Sequence, residues 1–210
     1  MRPARLGPFV LAVPGLLGSW AACALTLPAR LPARDAGSWL IEQTSTIGAG
    51  ATTVDIQKIW KICLDAKTDR ALHELVVREQ QASLASLKAH CEEPRPTLAG
   101  NELAWTMRCA GPSSADDDAA EVRHRTTFIS SDETRGETMA VTGKAPDDAH
   151  GRFVIHMTRA GVCESGLKPG DMMLMHWRAN GEETLKGRQF RTLREEIAHY
   201  KALTASRLAR

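Results

Sequence analysis

The spacing of two cysteines constrains the fold of this chain more than any other feature of its sequence. Cys91 and Cys109 lie at almost equal distances on either side of the turn-forming pair Gly100-Asn101. After that turn the residues alternate, and one face of the predicted strand carries Leu103, Trp105, Met107 and Cys109. A chain that returns from the turn brings Cys91 opposite Cys109, where a disulfide can join neighbouring strands. The sequence therefore predicts a disulfide-linked hairpin.

Cys63 and Cys163 form the second predicted disulfide, by elimination, because they are the cysteines that remain in the chain after residue 24. Four cysteines in an exported chain are typical of two structural disulfides. The cysteines are too far apart in sequence for a Cys-x-x-Cys metal or redox motif, and no catalytic Cys/His signature surrounds them. We therefore predict a structural role for Cys63, Cys91, Cys109 and Cys163.

Residues 1–24 are typical of a bacterial signal peptide, with Arg2 and Arg5 before a long run without charge and Ala22-Cys23-Ala24 at the predicted cleavage site. The sequence thus predicts a periplasmic or secreted protein. Two alternatives stay open: a lipoprotein anchored at Cys23, although Trp20 stands where a lipobox prefers leucine, and an uncleaved membrane anchor. Residues 25–36 are predicted to be an extended linker, because their prolines disfavour a helix at each preceding residue.

The charge balance argues against a nucleic-acid-binding protein. The formal net charge is +2, and Arg2 and Arg5 account for it, so the chain after residue 24 is formally neutral. Binding to phosphates needs clustered lysine and arginine, and no such excess is present.

Short alternating segments divided by Gly, Asp and Pro turns predict a mainly β fold. We expect an antiparallel meander sheet, half-barrel or sandwich-like, with one helix after Cys63 and one at the C-terminus, α+β overall. The first helix is predicted to begin at Thr68 or Asp69 and to end near Gln81. The predicted division is a β domain over 37–167 and a C-terminal extension over 168–210.

The C-terminal helix carries one apolar stripe, made of Phe190, Leu193, Ile197, Tyr200 and Leu203. We expect this stripe to dock on the sheet. Contact of the same stripe with a partner, or peripheral contact with a membrane surface, is the alternative.

No catalytic motif is found in the sequence. Serine hydrolase, phosphate-loop and dinucleotide-binding patterns are absent. His73 begins a segment that resembles a zinc helix, but the second histidine is missing, so we predict that His73 lies on the helix surface. A group of methionines and histidines could bind Cu(I), although core packing is the favoured interpretation; it comprises Met172, Met173, Met175, His176, Met157 and His156. We predict no metal and no cofactor.

The order of several short motifs resembles an uncharacterised, exported bacterial family, the domain of unknown function numbered 3617. The matching positions are Gly37 with Trp39, Cys63, Cys91, Gly100-Asn101 with Trp105 and Cys109, Gly136, Gly143, and Arg159 with Gly161 and Cys163. They cover residues 37 to 165. The resemblance implies a mostly β protein of the periplasm or a lipid-anchored one, with no implied activity. The chain departs from the pattern in its long helix after Cys63, an acidic loop near residue 117 and its C-terminal extension.

These observations favour a non-catalytic role, in which the protein binds an unknown envelope component or maintains the envelope. The rival interpretation is an enzyme that acts on envelope material, which would need convergent carboxylates or a histidine pair in a cleft. Trp60, Trp105 and Phe128 are expected to form the core, and the alternative is that they wall an apolar cavity.

Overall fold

A computed structural model describes residues 25–49, 52–111, 119–142 and 151–209. The predicted signal peptide and the acidic loop near residue 117 lie outside these residues. The described strands are β1 (Gly37–Ala49), β2 (Thr52–Leu64), β3 (His90–Cys91), β4 (Thr97–Ala99), β5 (Glu102–Ala110), β6 (Ala120–Phe128), β7 (Glu133–Thr142), β8 (Gly151–Gly161), β9 (Asp171–Ala179), β10 (Glu182–Glu183) and β11 (Gln189–Thr192). The helices are α1 (Ala66–Ala85) and α2 (Leu193–Leu208).

The strands form a single antiparallel sheet, which is open rather than closed into a barrel. Its order is β10-β9-β2-β1-β8-β7-β6-β5-β3, with β11 also paired to β9 and β4 also paired to β5. Strands β5 to β8 make a meander of sequential neighbours, and β1 lies between β2 and β8. The predicted fold class, an antiparallel sheet with a helix after Cys63 and one at the C-terminus, is confirmed.

The alternation of β5 sets which face of the sheet is buried. Leu103, Trp105, Met107 and Cys109 are all at most 5% exposed, whereas the intervening Thr106 and Arg108 are exposed. Cys91 is the register partner of Cys109 and is bonded to it. Cys63, at the end of β2, is bonded to Cys163, which follows β8.

Positive backbone φ angles account for two glycines of the family pattern. Gly100 has a positive φ of 60° in the turn between β4 and β5, a conformation that glycine adopts without strain. Gly37 has φ of 142°, and a Cβ at this position would collide with the carbonyl oxygen of Gly161 on β8. Arg159 ties the same corner together, because its Nε and Nη2 each donate to the carbonyl of Ala36 at 3.1 Å.

Helix α1 is longer than predicted at both ends. Asp65 caps it, accepting from the backbone of Lys67 and Thr68, while the Thr68 hydroxyl accepts from the Asp65 backbone. The predicted cap at Thr68 or Asp69 was wrong because this reciprocal capping box begins the helix one turn earlier. The predicted end near Gln81 was also wrong, since Leu84 and the adjacent Ala85 are buried and extend the helix.

One face of the sheet packs against α1 and forms the core. Leu72 and Leu75 join a cluster with Trp39 and Ile41 of β1. Val77 and Leu84, further along the helix, join a second cluster with β5 and β6 residues, among them Trp105. Since α1 is 20 residues long, it extends about 30 Å and spans the sheet from one cluster to the other.

The C-terminal segment adds strands to the edge of the sheet and a second helix. Strand β9 pairs with β2 and extends the sheet, and β11 pairs with β9. Phe190 was predicted in the helical stripe, which was wrong: it lies in β11 and is 64% exposed. Thr192 caps α2 through a capping box with Glu195, so the helix begins only at Leu193.

Helix α2 lies against α1. Lys201 Nζ is 2.7 Å from Glu74 Oε1, and Arg207 Nη1 donates to the Ala82 carbonyl at 2.6 Å. Ile197 and Tyr200 pack against the first core cluster. In the part of the chain that the structure describes, no helix has the length and apolar character needed to cross a membrane.

Candidate functional site

A cleft lies between the sheet edge and both helices and is called here the aromatic cleft. Its volume is about 200 Å³. Its apolar lining is Trp60, Leu75, Met172, Leu174, Trp177 and Tyr200, and its polar lining is Lys58, Glu79, Gln189, Arg191, Glu196 and His199. A cavity of about 150 Å³ already holds benzene, so this cleft fits one ring with a few further atoms.

Strand alternation aims these side chains into the cleft. Lys58 and Trp60 are two apart on β2, and their register partners on β9 are Trp177 and Leu174. Arg191 of β11 is the register partner of Met172, so it projects to the same face. Helix α1 contributes Leu75 and Glu79, and α2 contributes the facing wall.

Two ion pairs line the cleft. Lys58 Nζ lies 3.3 Å from Glu79 Oε1, and both side chains are mostly buried. Arg191 Nη1 lies 2.7 Å from Glu196 Oε2, whose side chain is 15% exposed. Each pair joins a cation on a strand to a carboxylate on a helix, so the strand wall is positive and the helix wall is negative.

Aromatic groups of the cleft interact with these charges. Lys58 Nζ lies 5.5 Å from the Trp177 ring centroid, within the range of a cation–π contact. Burial raises the pKa of Tyr200, and the nearby carboxylates of Glu79 and Glu196 raise it further. The phenol therefore stays protonated and can donate a hydrogen bond. The indole Nε1 of Trp60 is buried and has no hydrogen-bond partner among the described residues.

A cluster of side chains around a buried ion pair lies in the core, away from solvent. Arg34 forms a buried ion pair with Asp69 on α1, and its guanidinium lies 5.8 Å from the ring centroids of both Trp39 and Phe128. Arg34 Nη1 also contacts Met157 Sδ at 3.2 Å. Burial lowers the pKa of Arg34 and raises the pKa of Asp69, and the attraction between the two opposes both shifts. This cluster holds the 25–36 segment against α1 and the sheet.

Two histidines are also buried in the core. His124 stacks on Trp105 at 4.9 Å between ring centroids, and its two ring nitrogens lie 2.7 Å and 2.8 Å from the hydroxyls of Thr138 and Thr126. Burial lowers the pKa of His124 to about 3. Burial and the nearby Arg34 hold the pKa of His73 well below its usual value. Both rings are therefore neutral in the folded protein.

Because the pKa of His124 is far lower in the folded protein than in the unfolded chain, we expect the protein to lose stability in mild acid. The unfolded chain binds a proton at His124 below pH 6.5 and the folded chain does not until about pH 3. The free energy of unfolding then falls by about 1.4 kcal/mol per pH unit through this window, or about 2 kcal/mol at pH 5. Urea unfolding of the wild type and His124→Asn at pH 5 to 8 measures this difference in slope.

The asparagine keeps a polar group near the two threonines, and subtracting the two slopes removes the contributions of His73 and Asp69. His90→Asn, which replaces an exposed histidine, is the matched control and is expected to retain the wild-type slope. Equal slopes for the wild type and His124→Asn would contradict the prediction.

The structure does not place every sequence-predicted residue where it was expected. His73 was predicted on the helix surface, which was wrong: it is 5% exposed, and its Nε2 lies 3.4 Å from Arg34 Nη2. The surface prediction failed because the helical pattern alone does not show that a charged residue from a distant segment lies opposite. Trp105 and Phe128 belong to the buried core, whereas Trp60 lines the cleft.

The methionines and histidines considered for copper do not converge on one point. Met172 lines the cleft, and its neighbour Met173 pairs with Phe190 and points to the opposite face. His176 lies 3.3 Å from Glu183, and His156 lies 2.9 Å from Glu133 on another part of the sheet. Among the described residues, no three His, Cys, Asp or Glu side chains are grouped in a way that would hold a metal ion.

Comparison with known families connects the short motifs to the fold. The sequence profile of the family described as "Protein of unknown function (DUF3617)" matches residues 34–178. The chain belongs to this family. The match begins at the buried Arg34 and ends within β9, so it spans nearly the whole sheet.

Other comparisons add little. No curated protein matches the chain. One solved structure that is similar, the S-type phycobiliprotein lyase CPES from Guillardia theta, is 13% identical with a TM-score of 0.27, covering 60% of this chain and 88% of the other. A likeness at that level supports no argument about fold or function.

The extent of the family match divides the aromatic cleft in two. Lys58, Trp60, Leu75, Glu79, Met172, Leu174 and Trp177 lie inside the matched region. Gln189, Arg191, Glu196, His199 and Tyr200 lie beyond it, on β11 and α2. The C-terminal segment thus covers an aromatic edge of the family domain and turns it into a cleft.

Sequence reasoning missed the cleft as a site. A signal for it was present, since Lys58 and Trp60 alternate on one strand and Glu196 and Tyr200 are four apart on a helix. What the sequence lacked was the pairing of β2 with β9, which brings these residues together.

Proposed function

We propose that this protein is an exported, non-catalytic binding protein of the bacterial envelope, which holds one small amphipathic molecule in the aromatic cleft. The observation that supports binding is the cleft itself, in which six apolar or aromatic side chains, two of them tryptophans, converge with six polar ones. Ligand sites combine apolar walls with a small number of placed polar groups in this way. Its small volume restricts the ligand to about one ring.

Export is supported by the basic start at Arg2 and Arg5, by the charge-free run that follows it within residues 1–24, and by the two disulfides. Disulfides persist in oxidising compartments, so Cys63–Cys163 and Cys91–Cys109 are consistent with a periplasmic or extracellular location. Cleavage after residue 24 is part of this proposal.

Binding is preferred to catalysis because the carboxylates of the cleft are already paired. Glu79 is held by Lys58 and Glu196 by Arg191. A general acid or base needs a carboxyl group with access to the proton that it transfers. Two salt-bridged carboxylates instead provide fixed charges that orient a ligand.

A panel of four single-ring probes tests the proposal: L-phenylalanine, phenethylamine, 3-phenylpropanoate and 3-phenylpropan-1-ol. They share a phenyl group and differ in their charges. We expect at least one, at concentrations up to about 10 mM, to change tryptophan fluorescence and raise the midpoint of thermal unfolding, because a bound ligand stabilises the folded state. Trp177→Ala is expected to weaken that binding at least tenfold, since it removes an aromatic wall that is 40% exposed.

Phe190→Ala is the matched control, because Phe190 is an exposed aromatic residue on the other face of the same sheet edge. It is expected to bind the probe like the wild type. If no probe binds, or if Trp177→Ala binds as tightly as the wild type, the cleft is not a ligand site.

A further inference from the structure

We propose that the ligand of the aromatic cleft is a small zwitterion, a molecule of amino-acid size with an ammonium group, a carboxylate and an apolar side group. This inference rests on the proposed binding function and adds the chemical class of the ligand. It follows from the arrangement of the four charges around the cleft.

The positive and the negative charges of the cleft lie on different walls. Both cations, Lys58 and Arg191, project from strands, and both carboxylates, Glu79 and Glu196, project from helices. A ligand that lies across the cleft therefore meets negative charge on one side and positive charge on the other. An ammonium directed at the helices and a carboxylate directed at the strands match this polarity.

The pairing of these charges favours a zwitterion over an ion of one sign. An anionic ligand that takes Arg191 leaves Glu196 without its partner, and the Glu196 side chain is only 15% exposed. A cationic ligand that pairs with Glu79 likewise leaves Lys58 without its anionic partner. An unpaired, mostly buried charge is costly. A zwitterion can enter a single ion pair, with its carboxylate on the cation and its ammonium on the carboxylate, so the other pair stays intact and every charge in the cleft stays paired.

The apolar part of the ligand is directed at the residues between the two pairs. Trp177, Leu174 and Met172 form the strand side of this surface, and Leu75 approaches it from α1. Trp177 already packs against an ammonium, that of Lys58. Its ring is therefore placed to interact with a second cation or with an apolar group.

The four-probe series tests this inference on the full-length, oxidised protein. L-phenylalanine is expected to bind at least tenfold more tightly than phenethylamine, 3-phenylpropanoate or 3-phenylpropan-1-ol, because losing either charged group forfeits a charge-assisted hydrogen bond. Isothermal titration calorimetry gives the four dissociation constants.

Two variants are expected to favour probes of opposite charge. Arg191→Gln releases Glu196, so phenethylamine is expected to bind at least tenfold more tightly than to the wild type, while L-phenylalanine weakens. Glu196→Gln releases Arg191, so 3-phenylpropanoate is instead the probe that is expected to bind more tightly than to the wild type. Glu164→Gln breaks an ion pair with Lys61 outside the cleft and is expected to leave all four constants unchanged. Circular dichroism verifies that each variant is folded.

The outcomes separate this inference from the proposed function. If 3-phenylpropan-1-ol binds as tightly as L-phenylalanine, the cleft is an apolar site and the zwitterion inference is wrong, while the binding function stands. If either singly charged probe binds the wild type as tightly as L-phenylalanine, the inference is also wrong. If none of the probes binds, both proposals fail.

Discussion

Replacing both Cys63 and Cys163 by serine is expected to lower the free energy of unfolding by about 4.7 kcal/mol. In the chain-entropy model a disulfide stabilises by restricting the unfolded chain, and this stabilisation grows with the length of the closed loop. The two cysteines are 100 residues apart, whereas Cys91 and Cys109 are 18 apart. The Cys91→Ser, Cys109→Ser double variant is therefore expected to lose less, about 3 kcal/mol. Urea unfolding of both double variants measures the difference.

The double variants leave no unpaired partner thiol, so each compares the loss of one bridge with the intact protein. Peptide mapping without reduction checks the connectivity itself. A Cys63–Cys91 or Cys91–Cys163 peptide as the main species would show that the hairpin and the sheet order are wrong. A larger loss for the Cys91 and Cys109 variant would contradict the argument from loop length.

Replacing Arg34 by alanine is expected to lower the free energy of unfolding by about 3 to 5 kcal/mol, because removing one partner of a buried ion pair leaves the other charge buried and uncompensated. The Arg34 side chain is 2% exposed and that of Asp69 is 10% exposed. The substitution also removes the cation that contacts the rings of Trp39 and Phe128. Urea unfolding at neutral pH measures the loss.

Lys61→Ala is the matched control for Arg34→Ala, since it breaks the partly exposed pair with Glu164. Exposed pairs contribute about 0.2 to 1 kcal/mol, so a small effect is expected there. The double variant Arg34→Met, Asp69→Leu is expected to recover much of the lost stability, because it removes both charges and keeps apolar volume. A loss below about 1 kcal/mol for Arg34→Ala would mean that Asp69 finds water or another partner.

Local sequence patterns predicted the strands better than the helices. The alternation in β5 identified a face that is wholly buried in the structure, because side chains of a strand point alternately to its two sides. Helix ends depended on capping side chains: Asp65 and Thr192 each begin a helix at a position that the apolar periodicity did not indicate. Apolar periodicity shows which face of a helix packs, but the ends are set by which backbone donors a side chain satisfies.

The sequence by itself determined the class of fold: the strands of the meander and their turns, the face of β5 that is buried, a helix after Cys63 and another at the C-terminus. These features depend on residues that are close in sequence, so their periodicity and turn chemistry are readable without a partner. The tertiary structure alone decided the order of the sheet, the burial of Arg34 and His73, and the assembly of the aromatic cleft. Arg34 is buried because Asp69 lies opposite it on α1, and Lys58 meets Trp177 because β2 pairs with β9. Such pairings join residues far apart in the chain, and no local pattern specifies which strand, helix or charge will be the partner.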